Sequence, residues 1–194
     1  MTAMTALLRG VNVGGRNRLP MAELRTLVET LGFGSVQTYV QSGNLVFTGS
    51  GSPTKVAASL EAGISDTFGL EVPVIVRTAR QLARILGANP FAGPGVDPRT
   101  LHVTFLDGSP TPERAAGLAE TASDAHQVAS FGDDRFEAAG TDIFLHCPGG
   151  YGTTKLNNTF FEHRTGRVAT TRNWRTVTTL AAMAGLGVTG PGAG

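Results

Sequence analysis

Side chains that bind anions and polar ligands are concentrated in four short parts of this chain. These four polar segments are residues 9–18, 41–44, 155–158 and 169–177. Six of the seven asparagines lie in them, and the only tryptophan, Trp174, stands in the last one beside Arg172 and Asn173. Lysine occurs only at Lys55 and Lys155, so one of the two lysines also falls in a polar segment. This clustering predicts a polar surface that binds a ligand, and it indicates no particular reaction.

The first polar segment has the composition of an anion-binding loop. Its glycines lie between arginines, and it leads from a predicted strand to a helix whose start is marked by Pro20. The N–H groups of a glycine-rich turn and a helix N-terminus attract anions. The spacing matches neither the phosphate-binding loop nor the dinucleotide fingerprint. The alternative is a connection whose glycines only adopt left-handed backbone angles.

The second and third segments also allow two interpretations each. Gln41-Ser42-Gly43-Asn44 has ordinary turn chemistry, and no nucleophile elbow surrounds Ser42. Lys155 opens a predicted helix over Lys155–His163, either as a solvated lysine or as a ligand-binding one beside Asn157 and Asn158.

The last segment stands at a predicted junction between a strand and a helix. In one interpretation a Thr or Asn caps the helix while Trp174 packs into the core. In the other, Arg172 binds an anion in bidentate fashion, Asn173 orients it, and Trp174 stacks on a planar ring. The predicted ligand-binding residues of all four segments are Arg9, Asn12, Arg16, Asn17, Ser42, Asn44, Lys155, Asn158, Thr171, Arg172, Asn173 and Trp174.

Composition bounds the class of protein. With 194 residues, 41% hydrophobic and 16% charged, the chain is typical of globular proteins. No apolar run approaches the roughly 18 residues of a membrane span, and the N-terminus lacks signal-peptide features. A single cysteine, Cys147, excludes an intrachain disulfide. We therefore expect a cytoplasmic protein with no membrane association.

The charge is small in total but unevenly distributed. The net charge of +1 gives no general attraction to nucleic acid. Residues 1–25 and 151–176 are basic, whereas residues 110–145 contain seven acids and two arginines. The four histidines show no metal-ligand spacing, so we expect no metal and no cofactor.

The predicted strands and helices that position these segments occur in the same order in both halves of the chain. Strand, helix, two strands, helix and strand are predicted over residues 1–86, which is the split βαβ order of ferredoxin-like folds. Predicted strands here include Met4–Val13, and Val128–Phe131 in the second round. We expect an α+β fold of duplicated ferredoxin-like units, with mixed or antiparallel sheets and helices on one face. Its domains are residues 1–86 and 99–184, with a connector at 87–98 and a flexible tail at 185–194.

The chain resembles the bacterial family catalogued as domain of unknown function 1697. The resemblance rests on Leu7–Gly15, Pro20–Arg25, Thr38–Phe47, Lys155–Asn158 and Ala169–Val177, and it runs from about Ala6 to about Ala184. It implies a two-part α+β fold with ferredoxin-like character. It implies no activity, substrate or catalytic residue.

Three functions remain open, and they differ in class. The first is a module that binds an anionic small molecule or nucleotide, and the second is an enzyme in which Arg9, Lys155 and Arg172 stabilise charge on a phosphate or carboxylate. The third is single-stranded nucleic-acid binding across a sheet, which needs exposed aromatic residues there. The candidates Tyr39, Phe47, Phe105 and Phe131 instead lie in patterns typical of buried residues.

Overall fold

The computed structural model describes residues 1–14 and 17–187, which form eight strands and seven α-helices. The strands are β1 (Thr2–Leu8), β2 (Gly34–Tyr39), β3 (Asn44–Gly49), β4 (Val74–Thr78), β5 (Leu101–Leu106), β6 (Arg135–Ala139), β7 (Asp142–His146) and β8 (Ala169–Asn173). The helices are α1 (Met21–Thr30), α2 (Pro53–Phe68), α3 (Ala79–Ala88), α4 (Pro112–Ser123), α5 (Ala125–Ser130), α6 (Asn158–Thr165) and α7 (Trp174–Met183).

The chain divides into two compact units, each with a four-stranded antiparallel sheet. The first unit contains Met1–Arg84 and the described residues from Thr178 onward, and the second contains Ile85–Val177. The sheet orders are β2-β3-β1-β4 and β6-β7-β5-β8. In both sheets the third strand of the unit lies between the first two, as in a split βαβ unit. The predicted α+β class and the duplicated βαβ units are confirmed.

In the first unit, α1 and α2 cover one face of the sheet. Alternate residues of β1, namely Met4, Ala6 and Leu8, form one buried cluster with residues of both helices, including Leu24 of α1 and Leu60 of α2. The alternation follows from the two-residue period of a strand, and the helical residues recur at helical spacing. Burial of each large aliphatic side chain stabilises the fold by about 1.5–3 kcal/mol.

The core of the second unit is aromatic. Phe136 of β6 packs with Phe160 and Phe161 of α6, with ring centroids 6.2 and 5.4 Å away. Leu118 of α4 and Ile143 of β7 belong to the same buried cluster. This packing places α4 and α6 on the same face of the second sheet.

Three predicted elements differ from the structure. The strand predicted at Val128–Phe131 is wrong, because Asp124 caps the helix α5 by accepting a hydrogen bond from the Gln127 N–H at 2.8 Å. The strand predicted to reach Val13 ends at Leu8, since Gly10 and Asn12 have positive φ angles of 71° and 55°.

The helix predicted from Lys155 begins three residues later. The Asn157 carboxamide oxygen accepts a hydrogen bond from the Phe160 N–H at 3.0 Å, which makes Asn157 the N-cap of α6. Among the described helices, none combines the length and the apolar character that crossing a membrane requires.

Candidate functional site

The first two polar segments meet in one loop cluster of the first unit, which follows β1 and joins β2 to β3. The Asn12 Nδ2 donates to the carbonyl oxygens of Gln41 at 2.8 Å and Leu19 at 2.9 Å, and its Oδ1 accepts from the Leu19 N–H at 2.9 Å. One side-chain amide therefore joins the two loops, and both of its polar atoms are engaged in doing so.

The other amides of this cluster also bind backbone. The Asn17 Nδ2 donates to the Gly10 carbonyl at 3.2 Å. The fully buried Asn44 donates to the Tyr39 carbonyl at 3.1 Å and to the Ser42 Oγ at 3.0 Å. These contacts support the structural interpretation of the asparagines and of Ser42. Arg9 is half-buried, and the predicted Arg16 lies outside the described residues.

The third and fourth polar segments meet in the second unit through a chain of hydroxyl and amide groups. The Thr171 Oγ1 of β8 donates to the Asn158 Oδ1 at the start of α6, at 2.7 Å. The Thr104 Oγ1 lies 2.7 Å from the Thr171 Oγ1, and it is the donor when Thr171 gives its proton to Asn158. This chain fastens the first turn of α6 to the sheet.

The Arg172-Asn173-Trp174 triplet is held by local contacts. The Arg172 guanidinium donates to the Thr170 Oγ1 at 2.8 Å and to the Thr171 carbonyl at 2.9 Å. The Asn173 Oδ1 accepts from the Thr176 N–H at 2.8 Å, as a helix-capping side chain does. Trp174 is buried, with 7% of its surface exposed, which favours packing over a stacking platform.

Lys155 lies in an open groove on the surface of the second unit. The groove has a volume of about 890 Å³. Its lining residues are Arg114, Lys155, Asn157, Thr159, Phe160, His163 and Arg164. We call it the basic groove, because four of these residues are basic and none is acidic.

Hydrogen bonds to neighbouring oxygens fix the long cations of the basic groove. Lys155 Nζ donates to the Ser130 carbonyl at 2.8 Å. Arg114 Nη1 donates to the carbonyls of His163 and Arg164 at 3.1 and 3.2 Å, where cations are favoured by the C-terminal end of α6. Arg164 Nη1 donates to the Thr121 Oγ1 at 2.9 Å.

Among the described residues, no acidic side chain lines the groove itself, although Arg164 also borders a neighbouring pocket that contains Glu120 and Asp124. In the part of the chain that the structure describes, no acidic residue forms an ion pair with any of the four basic side chains. Because each bound cation keeps further N–H donors, the groove presents positive charge and hydrogen-bond donors to a ligand.

Two buried groups of the second unit are set to be uncharged at neutral pH. Burial lowers the pKa of His102, whose ring stacks on Tyr151 with 4.8 Å between the centroids. Burial, reinforced by the negative charge of Asp134, raises the pKa of the Cys147 thiol to about 11. A thiol with this pKa is protonated and unreactive, so Cys147 has a packing role.

The sequence predicted Lys155 but missed the other basic residues of the groove. Arg164 follows Lys155 within one predicted basic region, so its charge was visible, and His163 stands next to it in the sequence. Their proximity to Arg114 was not visible, because Arg114 is 49 residues from His163 in an acidic part of the chain. Only the packing of α4 beside α6 brings them together.

The comparisons with known proteins identify a family without an assigned activity. Residues 1–136 match the family described as Protein of unknown function (DUF1697), and the chain belongs to that family. The structure is similar to that of the conserved bacterial protein SP0830 from Streptococcus pneumoniae, with a TM-score of 0.73 and 23% identity over 94% of this chain and 98% of the other. This likeness shows a shared fold. No curated protein matches the sequence.

Proposed function

We propose that this member of the family is an anion-binding module, built on ferredoxin-like units, whose basic groove takes a phosphate-bearing ligand. One observation carries the proposal: four basic residues line an open groove of about 890 Å³ with no acidic residue among them. Surface cations usually have acidic neighbours that reduce their potential, and a groove of one sign concentrates counter-ions.

The ligand class follows from the donors available. Arginine matches the oxygens of a phosphate with a planar fork of N–H groups, and lysine acts as a point charge. Thr159 and Asn157 add neutral polar groups to the lining. A carboxylate would engage one such fork, whereas a phosphate with several oxygens can engage cations from α4, α6 and the loop before α6.

Nucleic-acid binding across the sheets has less support. Phe47 and Phe105 are buried to 0% and 1% exposure, so neither offers a face to a base. Stacking on a sheet requires exposed aromatic rings.

The proposal predicts saturable binding of inorganic tripolyphosphate by the full-length protein. Lys155→Gln and His163→Gln should each weaken it by about tenfold, since a hydrogen bond to a charged group contributes about 1.5–3 kcal/mol. Isothermal titration calorimetry at constant ionic strength measures both effects without the general stabilisation that phosphate and sulfate give to proteins.

The matched control is Arg99→Gln. Arg99 is exposed, pairs with Asp97 at 3.2 Å and does not line the groove, so its replacement lowers the net charge by one and breaks an exposed ion pair without altering the groove. Equal losses in Arg99→Gln and Lys155→Gln would show that only the overall charge matters. Absence of saturable binding to the unaltered protein would refute the proposed function.

A further inference from the structure

Arg164 differs from the other cations of the basic groove because its guanidinium lies against an aromatic ring. Its Cζ is 5.3 Å from the centroid of the Phe160 ring. Its Nη1 also donates to the Thr121 Oγ1 at 2.9 Å. A cation–π contact and a lateral hydrogen bond together restrain the guanidinium more than either contact would alone.

The ring beneath Arg164 is itself immobilised. Phe160 meets Phe131 at 5.5 Å between centroids with an interplanar angle of 83°, and Phe161 at 5.1 Å with 84°. Edge-to-face packing on two sides holds the ring in one orientation. Arg164 lies over this ring in a cation–π pair, which we call the Arg164 platform.

The Arg164 platform and the other basic residues lie in the same groove. Arg114, Lys155 and His163 line it together with Arg164 and Phe160. Its volume of about 890 Å³ lies in the upper part of the range of small-molecule sites, about 300–1,000 Å³, and exceeds what one inorganic phosphate requires. The site has room for a phosphate group and a planar ring at once.

We propose that the ligand of the basic groove is a nucleotide, whose base stacks on the outer face of the Arg164 guanidinium. Its phosphates are bound by Lys155, Arg114 and His163. Guanidinium planes are stacking partners for unpaired bases, and the contact tolerates any base because each has a π face. This inference rests on the proposed function, since it assigns the ligand of the same groove.

The test compares adenosine 5′-triphosphate with inorganic tripolyphosphate, which has the phosphates and no base. The unaltered protein should bind the nucleotide about tenfold more tightly, the scale of one stacking contact. Arg164→Lys keeps the charge but loses the planar guanidinium, so it should weaken binding of the nucleotide more than binding of tripolyphosphate and remove most of this preference. Thermal melting of the variant checks that the fold is retained.

The outcomes separate this inference from the proposed function. If neither compound binds, the anion-binding proposal itself fails. If both bind equally to the unaltered protein, or if Arg164→Lys weakens both to the same degree, the groove is an anion site without a base platform and the inference is overturned. Much tighter binding of a short single-stranded oligodeoxyadenylate than of the triphosphate would also overturn it, in favour of a polymer ligand.

Discussion

The amides of the polar segments and the cations of the basic groove have different roles. Asn12, Asn44 and Asn173 bind backbone groups that the nearby turns and helix starts leave without partners. Lys155 and Arg164 are fixed by one hydrogen bond each, to the Ser130 carbonyl and the Thr121 hydroxyl, and they line the basic groove. At the scale of single residues, the amides build the loops and the cations are available for a ligand.

Trp174 tests this division most simply, because it is the only tryptophan and is 7% exposed. We predict that Trp174→Ala lowers the free energy of unfolding by about 3–5 kcal/mol, through the cavity that it leaves. Chemical denaturation measures this loss, and Trp174→Phe should show a smaller one. The native fluorescence should be blue-shifted and resistant to acrylamide.

Fluorescence during ligand addition would also show if the packing interpretation of Trp174 is wrong. Emission at intermediate wavelength that tripolyphosphate quenches would place Trp174 in the binding site. A loss of stability well under 3 kcal/mol would then accompany it, and the packing interpretation would be abandoned.

At the scale of elements, local signals predicted some of the helices that carry their own capping residues and missed others. Helix α7 begins at Trp174, at the predicted junction between a strand and a helix, and α2 is followed by Gly69, whose φ of 64° is that of a left-handed cap. A strand was predicted at Val128–Phe131 because its residues have strand propensity. The helix there is instead favoured by the capping side chain of Asp124, which lies before these residues. The prediction failed where a cap outweighed propensity.

The hairpin between β2 and β3 provides an element-scale prediction. Gly43 has a φ of 72°, and a Cβ there would lie 2.5 Å from Val11 Cγ2 and 2.7 Å from Leu8 Cβ. Gly10 has nearly the same φ, 71°, with nothing within 4 Å of a Cβ. Both alanine variants adopt the same unfavourable angle, so Gly43→Ala should be less stable than Gly10→Ala by about 1–3 kcal/mol, the cost of overpacking.

Urea denaturation of the two glycine variants measures this difference. Equal free energies of unfolding would mean that the loops around Gly43 rearrange to accommodate the added Cβ without loss of stability. The close packing of the first two polar segments would then contribute nothing to the fold.

At the scale of the whole molecule, the duplication could be predicted from the sequence because each unit repeats the same order of elements. The basic groove could be predicted only in part. Lys155 belongs to a polar segment, but Arg114 lies in the acidic region of residues 110–145 and reaches the groove through the tertiary packing of α4. Composition detects basic and polar residues that are clustered along the sequence. It does not detect residues such as Arg114 that join a cluster only through tertiary packing. The connector at residues 87–98 stays a prediction as the domain boundary.

The central claim, that the basic groove binds a phosphate-bearing anion, is tested most directly by mapping backbone amide resonances during a tripolyphosphate titration. We predict saturable shifts that share one dissociation constant. They should be largest at Arg114, Lys155, Asn157, Thr159, Phe160, His163 and Arg164, the residues that line the groove. The account is contradicted if these resonances stay fixed or drift without saturation while the protein remains folded.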